Sequence, residues 1–352
     1  MSGGAVLASF LSDNTAGVHP AIMEAIAAAN EGDALPYGDD ALSSRLDAAF
    51  SEIFEKEVAV IPCVSGTAAN ALALALVAGP TNAICAHVDS HVYGDECNAP
   101  EFFTGGARLT PVQGASGKLE RGALQPAVER SGGRHAAQPC AISIAQATEA
   151  GTLYSLNELE NLCIFARERN LFLHMDGARF ANAVAALGCH PAEMTWKVGM
   201  NVLSFGATKN GCLAAEAVVL FDPQLAGEAR FRAKRAGLLL SKMRFLSAQL
   251  LAYLKDDLWL TCARDANVAA RKLHDILANH PKVRVQGIPE ANILFAYMPL
   301  ELTEKLEQAG LAGYGGGGGL MRLCTSWSTG SDELDRLRTL IDSDNAARAK
   351  GF

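Results

Sequence analysis

In the first two-thirds of the 352-residue chain, short continuous apolar runs alternate with longer stretches of helical spacing. No other feature restricts the fold as much. The runs at 58–61, 83–86, 140–144, 171–175, 202–205 and 217–221 are too short for helices and lack the polar alternation of a half-wet strand. They read as strands buried on both faces, the habit of parallel sheets covered by helices. Between two of them, residues 157–169 place Leu159, Leu162, Cys163 and Ala166 on one face, the spacing of a helix lying on a sheet. The expected class is therefore α/β with a mostly parallel sheet. After about residue 240 the pattern changes to a long helical stretch through Leu254, another at 265–279, and strands near 283–285 and 293–297. A large domain at 1–244 followed by a smaller α+β domain at 245–352 is expected.

Composition narrows the partners. Lys and Arg number 30 against 38 Asp and Glu, a net charge of -8, so no global basic field exists for nucleic acid or an anionic membrane. The nine cysteines include no C-x-x-C pair, and neighbours such as those of Cys85 and Cys324 are apolar. They read as reduced packing thiols of a cytoplasmic protein, with no metal site implied. The apolar stretch 5–11 is too short for a membrane span, which takes about 20 residues, and no Lys or Arg precedes it. Neither an export signal nor a membrane anchor is expected. The glycine-rich segment 313–319 lacks the Lys-Ser/Thr ending of a P-loop and reads as a loop. No G-x-G-x-x-G follows an early strand, which argues against a nicotinamide enzyme.

Three elements point to chemistry. In Ser204-Phe-Gly-Ala-Thr208-Lys209-Asn210-Gly211 a lysine follows a buried strand at once. A lysine in such a place is either paired, lowered in pKa and ready for Schiff-base chemistry, or reaching out to solvent on its own stem. In Leu171-Phe-Leu-His174-Met-Asp176-Gly-Ala-Arg179 a strand ends in a carboxylate, and open α/β sheets bind ligands at the carboxyl ends of their strands. Asp176 there suits the protonated ring nitrogen of pyridoxal phosphate, with Arg179 facing the same site, although an Asp after a strand also serves as a helix cap. In Ser65-Gly66-Thr67-Ala-Ala-Asn70 small residues open a helix of strong formers. Free amides and the helix dipole favour a phosphate at that end, while a plain N-cap accounts for Ser65 or Thr67 equally well.

Taken in order, these residues resemble the L-threonine aldolases, among the fold-type-I pyridoxal phosphate enzymes sometimes grouped with β-eliminating lyases. The resemblance covers nearly the whole chain. It rests on Ser12-Asp13-Asn14, Tyr37-Gly38-Asp39-Asp40, Ser65-Gly66-Thr67-Ala-Ala-Asn70, His91 with Glu96, His174-Met-Asp176-Gly-Ala-Arg179-Phe-Ala-Asn182, and Thr208-Lys209. The stretches 95–103 and 205–210 look like the low-specificity threonine or phenylserine branch.

The resemblance implies an aspartate-aminotransferase-like large domain and pyridoxal 5'-phosphate as cofactor. Lys209 would carry the cofactor as a Schiff base, Asp176 would pair with its ring nitrogen, and Arg179 would lie near its phenolic oxygen and the substrate carboxylate. Ser65, Gly66 and Thr67 would cup the phosphate. His91 would stack on the ring and move the β-hydroxyl proton, oriented by Glu96. Ser12, Tyr37 and Arg322 would meet the substrate, the first and last gripping its carboxylate. An arginine inside an apolar strand needs an anion, which a structural salt bridge also supplies. A homodimer or homotetramer is implied, with sites at the dimer interface, to which Tyr37 and the basic run 230–244 would contribute.

The implied reaction is retro-aldol cleavage of L-threonine, phenylserine or a related L-β-hydroxy-α-amino acid to glycine and an aldehyde, placing the enzyme in amino-acid metabolism. The alternative on the same cofactor is β-elimination to a 2-oxo acid and ammonia. Two departures from the family bear on this. Glu149 stands where many members have a histidine, and the glycines at 315–319 replace bulkier residues, which implies a wider or more mobile entrance.

Overall fold

The computed structural model describes residues 9–129, 133–315 and 319–349. They form two compact units, one of residues 18–259 and one joining residues up to Gly17 to those from Leu260 onward. The expected division at 244/245 falls at the start of the helix Arg244–Leu254, which packs on the helix Pro20–Ala29 of the larger unit.

The larger unit is built on seven strands: β1 (Ala59–Cys63), β2 (Asn82–His87), β3 (Arg108–Val112), β4 (Gln138–Ala145), β5 (Phe172–Gly177), β6 (Val202–Gly206) and β7 (Glu216–Leu220). Their order is β1-β7-β6-β5-β4-β2-β3. The β3-β2-β4-β5-β6 block is parallel throughout. Only β7, antiparallel to both β1 and β6, breaks the pattern. The mostly parallel α/β sheet expected from the apolar runs is therefore present. The edge strand β3, Arg-Leu-Thr-Pro-Val, was not among those runs, because an edge strand tolerates the charge and proline that hide it.

This topology brings chemistry to one edge. The parallel strands β2, β5 and β6 all finish there, as does β1, while the reversed β7 begins there with Glu216. The chain leaves β1 for Ser65, β2 for His91 and β6 for Lys209, and Asp176 lies in the last turn of pleat of β5. The ends of β5 and β6 run so close that only glycine fits. A Cβ on Gly177 would come within 2.7 Å of the Ser204 carbonyl oxygen, and one on Gly206 within 2.6 Å of that of Ala178.

Behind the edge, Phe50, Phe54, Phe180, Phe205, Tyr253 and Trp259 form a buried aromatic cluster, with Phe50 set edge-on to Phe205 at 5.1 Å and Phe180 stacked on Trp259 at 6.3 Å. The smaller unit holds an antiparallel sheet of β8 (Arg284–Val285), β9 (Ile293–Tyr297), β10 (Tyr314–Gly315) and β11 (Leu320–Cys324), in the order β10-β11-β9-β8. Its core packs Phe10, Leu273, Leu277, Leu294, Leu302, Leu323 and Leu337. No helix among the described residues is long and apolar enough to cross a membrane.

One polar ladder crosses the middle of the larger sheet. His174 on β5, fully buried, bonds Ser143 on β4 through Nδ1 at 2.8 Å and Ser204 on β6 through Nε2 at 2.9 Å. Each serine hydroxyl satisfies a ring nitrogen at no charge, and burial pulls the imidazole pKa from 6.5 down to about 4. Because the unfolded chain binds this proton first, His174 costs the fold stability as pH falls from 6.5 toward 4. Urea melts are expected to show the wild type losing more stability over that interval than a His174→Gln variant does.

Candidate active site

Lys209 sits in a single turn, Thr208–Asn210, that follows β6 directly. The turn is pinned on both sides. Upstream, the amide of Ala207 donates to Glu216 Oε2 at 3.1 Å. Downstream, the buried Asn210 side chain donates to the Tyr253 hydroxyl at 2.6 Å and the Trp259 carbonyl at 2.8 Å. The lysine stem thus starts from backbone anchored to the aromatic cluster, and its side chain is half-buried.

Asp176 is 7% exposed and accepts two hydrogen bonds, from the Ala178 amide on Oδ1 at 3.0 Å and from Asn70 Nδ2 on Oδ2 at 2.9 Å. The same Asn70 nitrogen donates to Glu96 Oε1 at 2.8 Å. That oxygen in turn faces His91 Nδ1 at 2.8 Å. An ionised carboxylate only accepts, so Nδ1 carries the proton and Nε2 is left as the acceptor. The hydrogen bond to Glu96 holds His91 above its ordinary pKa, against its own burial. Burial likewise pushes the Glu96 carboxyl up, against the bonds from His91 and Asn70. His91 therefore gives up its proton at higher pH than a free histidine does. The charges of Asp176 and Lys209 act on His91 as well, in opposite directions, which places all three in one electrostatic neighbourhood.

The helix Gly66–Val77 ties this network to its own N-terminus. Ser65 caps it, its hydroxyl accepting the Ala68 amide at 3.2 Å and its carbonyl the Ala69 amide at 3.1 Å. The amides of Gly66 and Thr67 open the first turn, where a helix offers no acceptor of its own. Asn70 follows one turn later, about 5.4 Å along the axis. Arg179, three residues beyond Asp176, is buried at 4% exposure.

Lys209, Asp176, Arg179, His91, Ser65, Gly66 and Thr67 thus lie along one edge of the larger unit. Tyr37 belongs to the same unit, on a loop where its φ is +60°, with its amide on the Ser241 carbonyl and Lys234 Nζ 4.6 Å from its ring centre. Ser12 and Arg322 belong to the smaller unit. Ser12 caps the turn Asp13–Thr15, and the buried Asp13 accepts the Asn292 amide at 3.0 Å. Arg322, half-buried on β11, lies over the Tyr314 ring. Glu149 is half-buried and lines a small hollow with His87, Ser90 and Tyr154. The expected wide entrance at 315–319 falls mainly on residues 316–318, outside the described residues.

Two residues of this site were given no role from the sequence, although Asn70 closes the quoted 65–70 motif. Asn70 is the lone amide in an apolar helix, and Glu216 the lone carboxylate opening an apolar strand. Each carried a signal, a polar group where burial demands a partner.

The residues present fit pyridoxal phosphate. Each Asp176 oxygen accepts one bond from protein and keeps further acceptor capacity for a ring N–H, the helix start offers amides to a phosphate, and a lysine stands beside both. Buried atoms without protein partners, Asn70 Oδ1 and Glu96 Oε2, concentrate unspent polarity at the same place. The fold is that of the fold-type-I pyridoxal phosphate enzymes. The chain belongs to the beta-eliminating lyase family, whose profile matches residues 9–299. It is 40% identical to the low-specificity L-threonine aldolases of Pseudomonas aeruginosa and of another Pseudomonas strain, in each case over 94% of this chain and 95% of the relative. Among solved structures it is similar to a threonine aldolase from Leishmania major, with a TM-score of 0.88 and 26% identity over 95% of this chain and 98% of that one.

Removing the Asn70 amide leaves two buried carboxylates with no shared donor, and an unsatisfied buried group costs about 1–3 kcal/mol. Asn70→Ala is expected to lose stability on that scale in denaturant melts, with more of the loss at pH 8 than at pH 5, where Glu96, its carboxyl pushed up by burial, begins to take up a proton.

Proposed function

We propose that the protein cleaves L-threonine and related L-β-hydroxy-α-amino acids, phenylserine among them, to glycine and an aldehyde, as a carbon-carbon lyase using pyridoxal 5'-phosphate. The observation that carries this reading is the His91–Glu96 pair set in the same neighbourhood as Asp176 and Lys209. It supplies a base whose acceptor nitrogen is defined, beside the residues suited to the cofactor.

Lys209 would hold the cofactor covalently, Asp176 would face its ring nitrogen, Arg179 its phenolic oxygen, and Ser65, Gly66 and Thr67 its phosphate. When bound, pyridoxal phosphate supplies an electron sink for the pair released from the Cα–Cβ bond. The protein's own part is proton handling and orientation. His91 Nε2 takes the proton from the β-hydroxyl as the carbonyl of the aldehyde forms, and Glu96 stabilises the resulting imidazolium through Nδ1. Asp176, held by Asn70 and the Ala178 amide, stays in the acceptor orientation that favours a protonated ring nitrogen. In the smaller unit, Ser12 and Arg322 suit a substrate carboxylate, a hydroxyl and a planar fork matching two oxygens. Tyr37 and the basic residues of 230–244 are suited to a neighbouring copy's site. A homodimer or homotetramer belongs to the same reading, and so does the cytoplasm, which nine cysteines without a disulfide support.

A second reading is β-elimination, favoured by Glu149, a carboxyl that lines a small hollow with Ser90 where many members of the family have a histidine. Product analysis separates the two. With L-threonine, the loaded protein is expected to yield glycine and acetaldehyde, and 2-oxobutyrate with ammonia as the main products would overturn the aldolase reading. Lys209→Ala is expected to abolish turnover with either outcome.

The pH dependence tests the base. Cleavage needs His91 Nε2 unprotonated, so kcat/KM rises with pH through the His91 pKa, which Glu96 holds above 6.5. Glu96→Gln removes the charge that stabilises the imidazolium and is expected to move this acidic limb to lower pH. His91→Asn is expected to lower kcat by about 10²–10⁴.

A further inference from the structure

Ser12 and Arg322, the smaller unit's share of the proposed site, stand on segments that one buried side chain fastens together. Asn292, the residue before β9, is 2% exposed. Its Nδ2 donates to Asp13 Oδ2 at 3.0 Å and to the Thr325 carbonyl at 2.8 Å, with Cys324 Sγ 3.5 Å from the same nitrogen. Asp13 follows Ser12 directly and is also 2% exposed, while Thr325 follows β11, the strand that carries Arg322. A carboxylate and a carbonyl only accept, so the nitrogen has to face them. The backbone ties the same places. The Cys324 amide donates to the Phe10 carbonyl at 2.9 Å, and the Thr325 amide to the Asn292 carbonyl at 3.0 Å. Ser12 lies two residues beyond Phe10, and Arg322 two residues before Cys324.

Core stability alone does not call for this amide. Its Oδ1 is buried with no hydrogen-bond partner among the described residues, a cost that an apolar side chain would not carry. What the amide adds is direction. Apolar contact holds segments together without fixing how they slide past each other, whereas two bonds of about 3 Å from one nitrogen fix both segments. Those segments lie 279 and 33 residues away along the chain. At the far end of the link, the Ser12 hydroxyl accepts the Asn14 backbone amide at 3.1 Å, and the Ser12 carbonyl accepts the Thr15 hydroxyl at 2.6 Å. A hydroxyl engaged as an acceptor still has its own proton to donate, which suits an anion.

We propose that Asn292, acting through Asp13, is a positioning residue for the substrate carboxylate: it locks the Ser12 turn to the exit of the strand that carries Arg322, so that hydroxyl and guanidinium form a grip set before substrate arrives. This rests on the reading that Ser12 and Arg322 hold that carboxylate. A grip ordered in advance does not have to be ordered on binding, and affinity gains accordingly.

The test uses Asn292→Leu, which is similar in size and has neither donor. In protein loaded with pyridoxal phosphate, binding of glycine and of methylamine is followed by the change in visible absorption. Glycine carries the carboxylate and methylamine does not, so the variant is expected to bind glycine about tenfold more weakly and methylamine within about twofold of wild type. Equal losses for both amines, or none for glycine, would overturn the proposal. Ser12→Ala and Arg322→Ala keep the two readings apart. If neither weakens glycine, the grip is refuted and the proposal with it; if both do and Asn292→Leu does not, only the positioning role falls. Hydrogen exchange needs no cofactor: the amides of residues 9–15 are expected to exchange about tenfold faster in cofactor-free Asn292→Leu than in wild type, and unchanged exchange overturns the lock. If the variant does not fold, the loaded wild type decides. A grip set in advance leaves exchange at 9–15 within about twofold when glycine is added, and protection that arises only with glycine overturns it. A wild type that fails to bind pyridoxal phosphate refutes the proposed function, while exchange in cofactor-free protein still judges Asn292.

Discussion

The site depends on one primary amide. Asn70 Nδ2 has two protons, and it places one on Asp176 and the other on Glu96. Two carboxylates buried this close repel each other, and a cation between them would neutralise the charge that the proposed cofactor's ring nitrogen and the imidazole would meet. A neutral donor with two protons holds both acids in place and leaves both charges available. The same side chain locks the helix Gly66–Val77 to the end of β5 and to the segment after β2, so the helix start, the acid and the base share one frame.

The rest of the arrangement follows from strand direction. Parallel neighbours finish at one edge, so the segments leaving β1, β2 and β6 deliver a helix start, a histidine and a lysine to the end of β5. The reversed β7 contributes the opposite terminus, and with it Glu216 beneath the lysine turn. Glycines at 177 and 206 let the two central strand ends close on each other, and Asn210 fastens the lysine turn to the ring cluster behind it. The long Lys209 side chain and the partly exposed His91 ring extend from this anchored backbone.

Much of this was legible beforehand, for identifiable reasons. Buried strands announce themselves as continuous apolar runs, and Asp176, Lys209 and Ser65 each sit within four residues of such a run's end, where an α/β sheet binds ligands. Order and spacing of these residues carried the family, which the match over residues 9–299 shows. The edge strand β3 was not legible, because proline and arginine at an edge mimic a loop. Neither was the pairing of His174 with Ser143 and Ser204, whose partners lie 31 and 30 residues away. Periodicity speaks only about neighbours along the chain.

The sequence by itself determined the fold class, the alternation of strands with helices and the inventory of acids, bases and small residues, since these depend on local spacing and on which side chains water rejects. Only the tertiary structure decided which groups share a proton or a charge. That Asn70 serves Asp176 and Glu96 at once, that β7 runs backwards to set Glu216 against Ala207 and Thr208, and that Asn210 reaches Tyr253 are outcomes of strand order and packing. Hydrogen bonds are directional over about 3 Å, and a contact of that range between segments distant in sequence exists only once the whole sheet has closed.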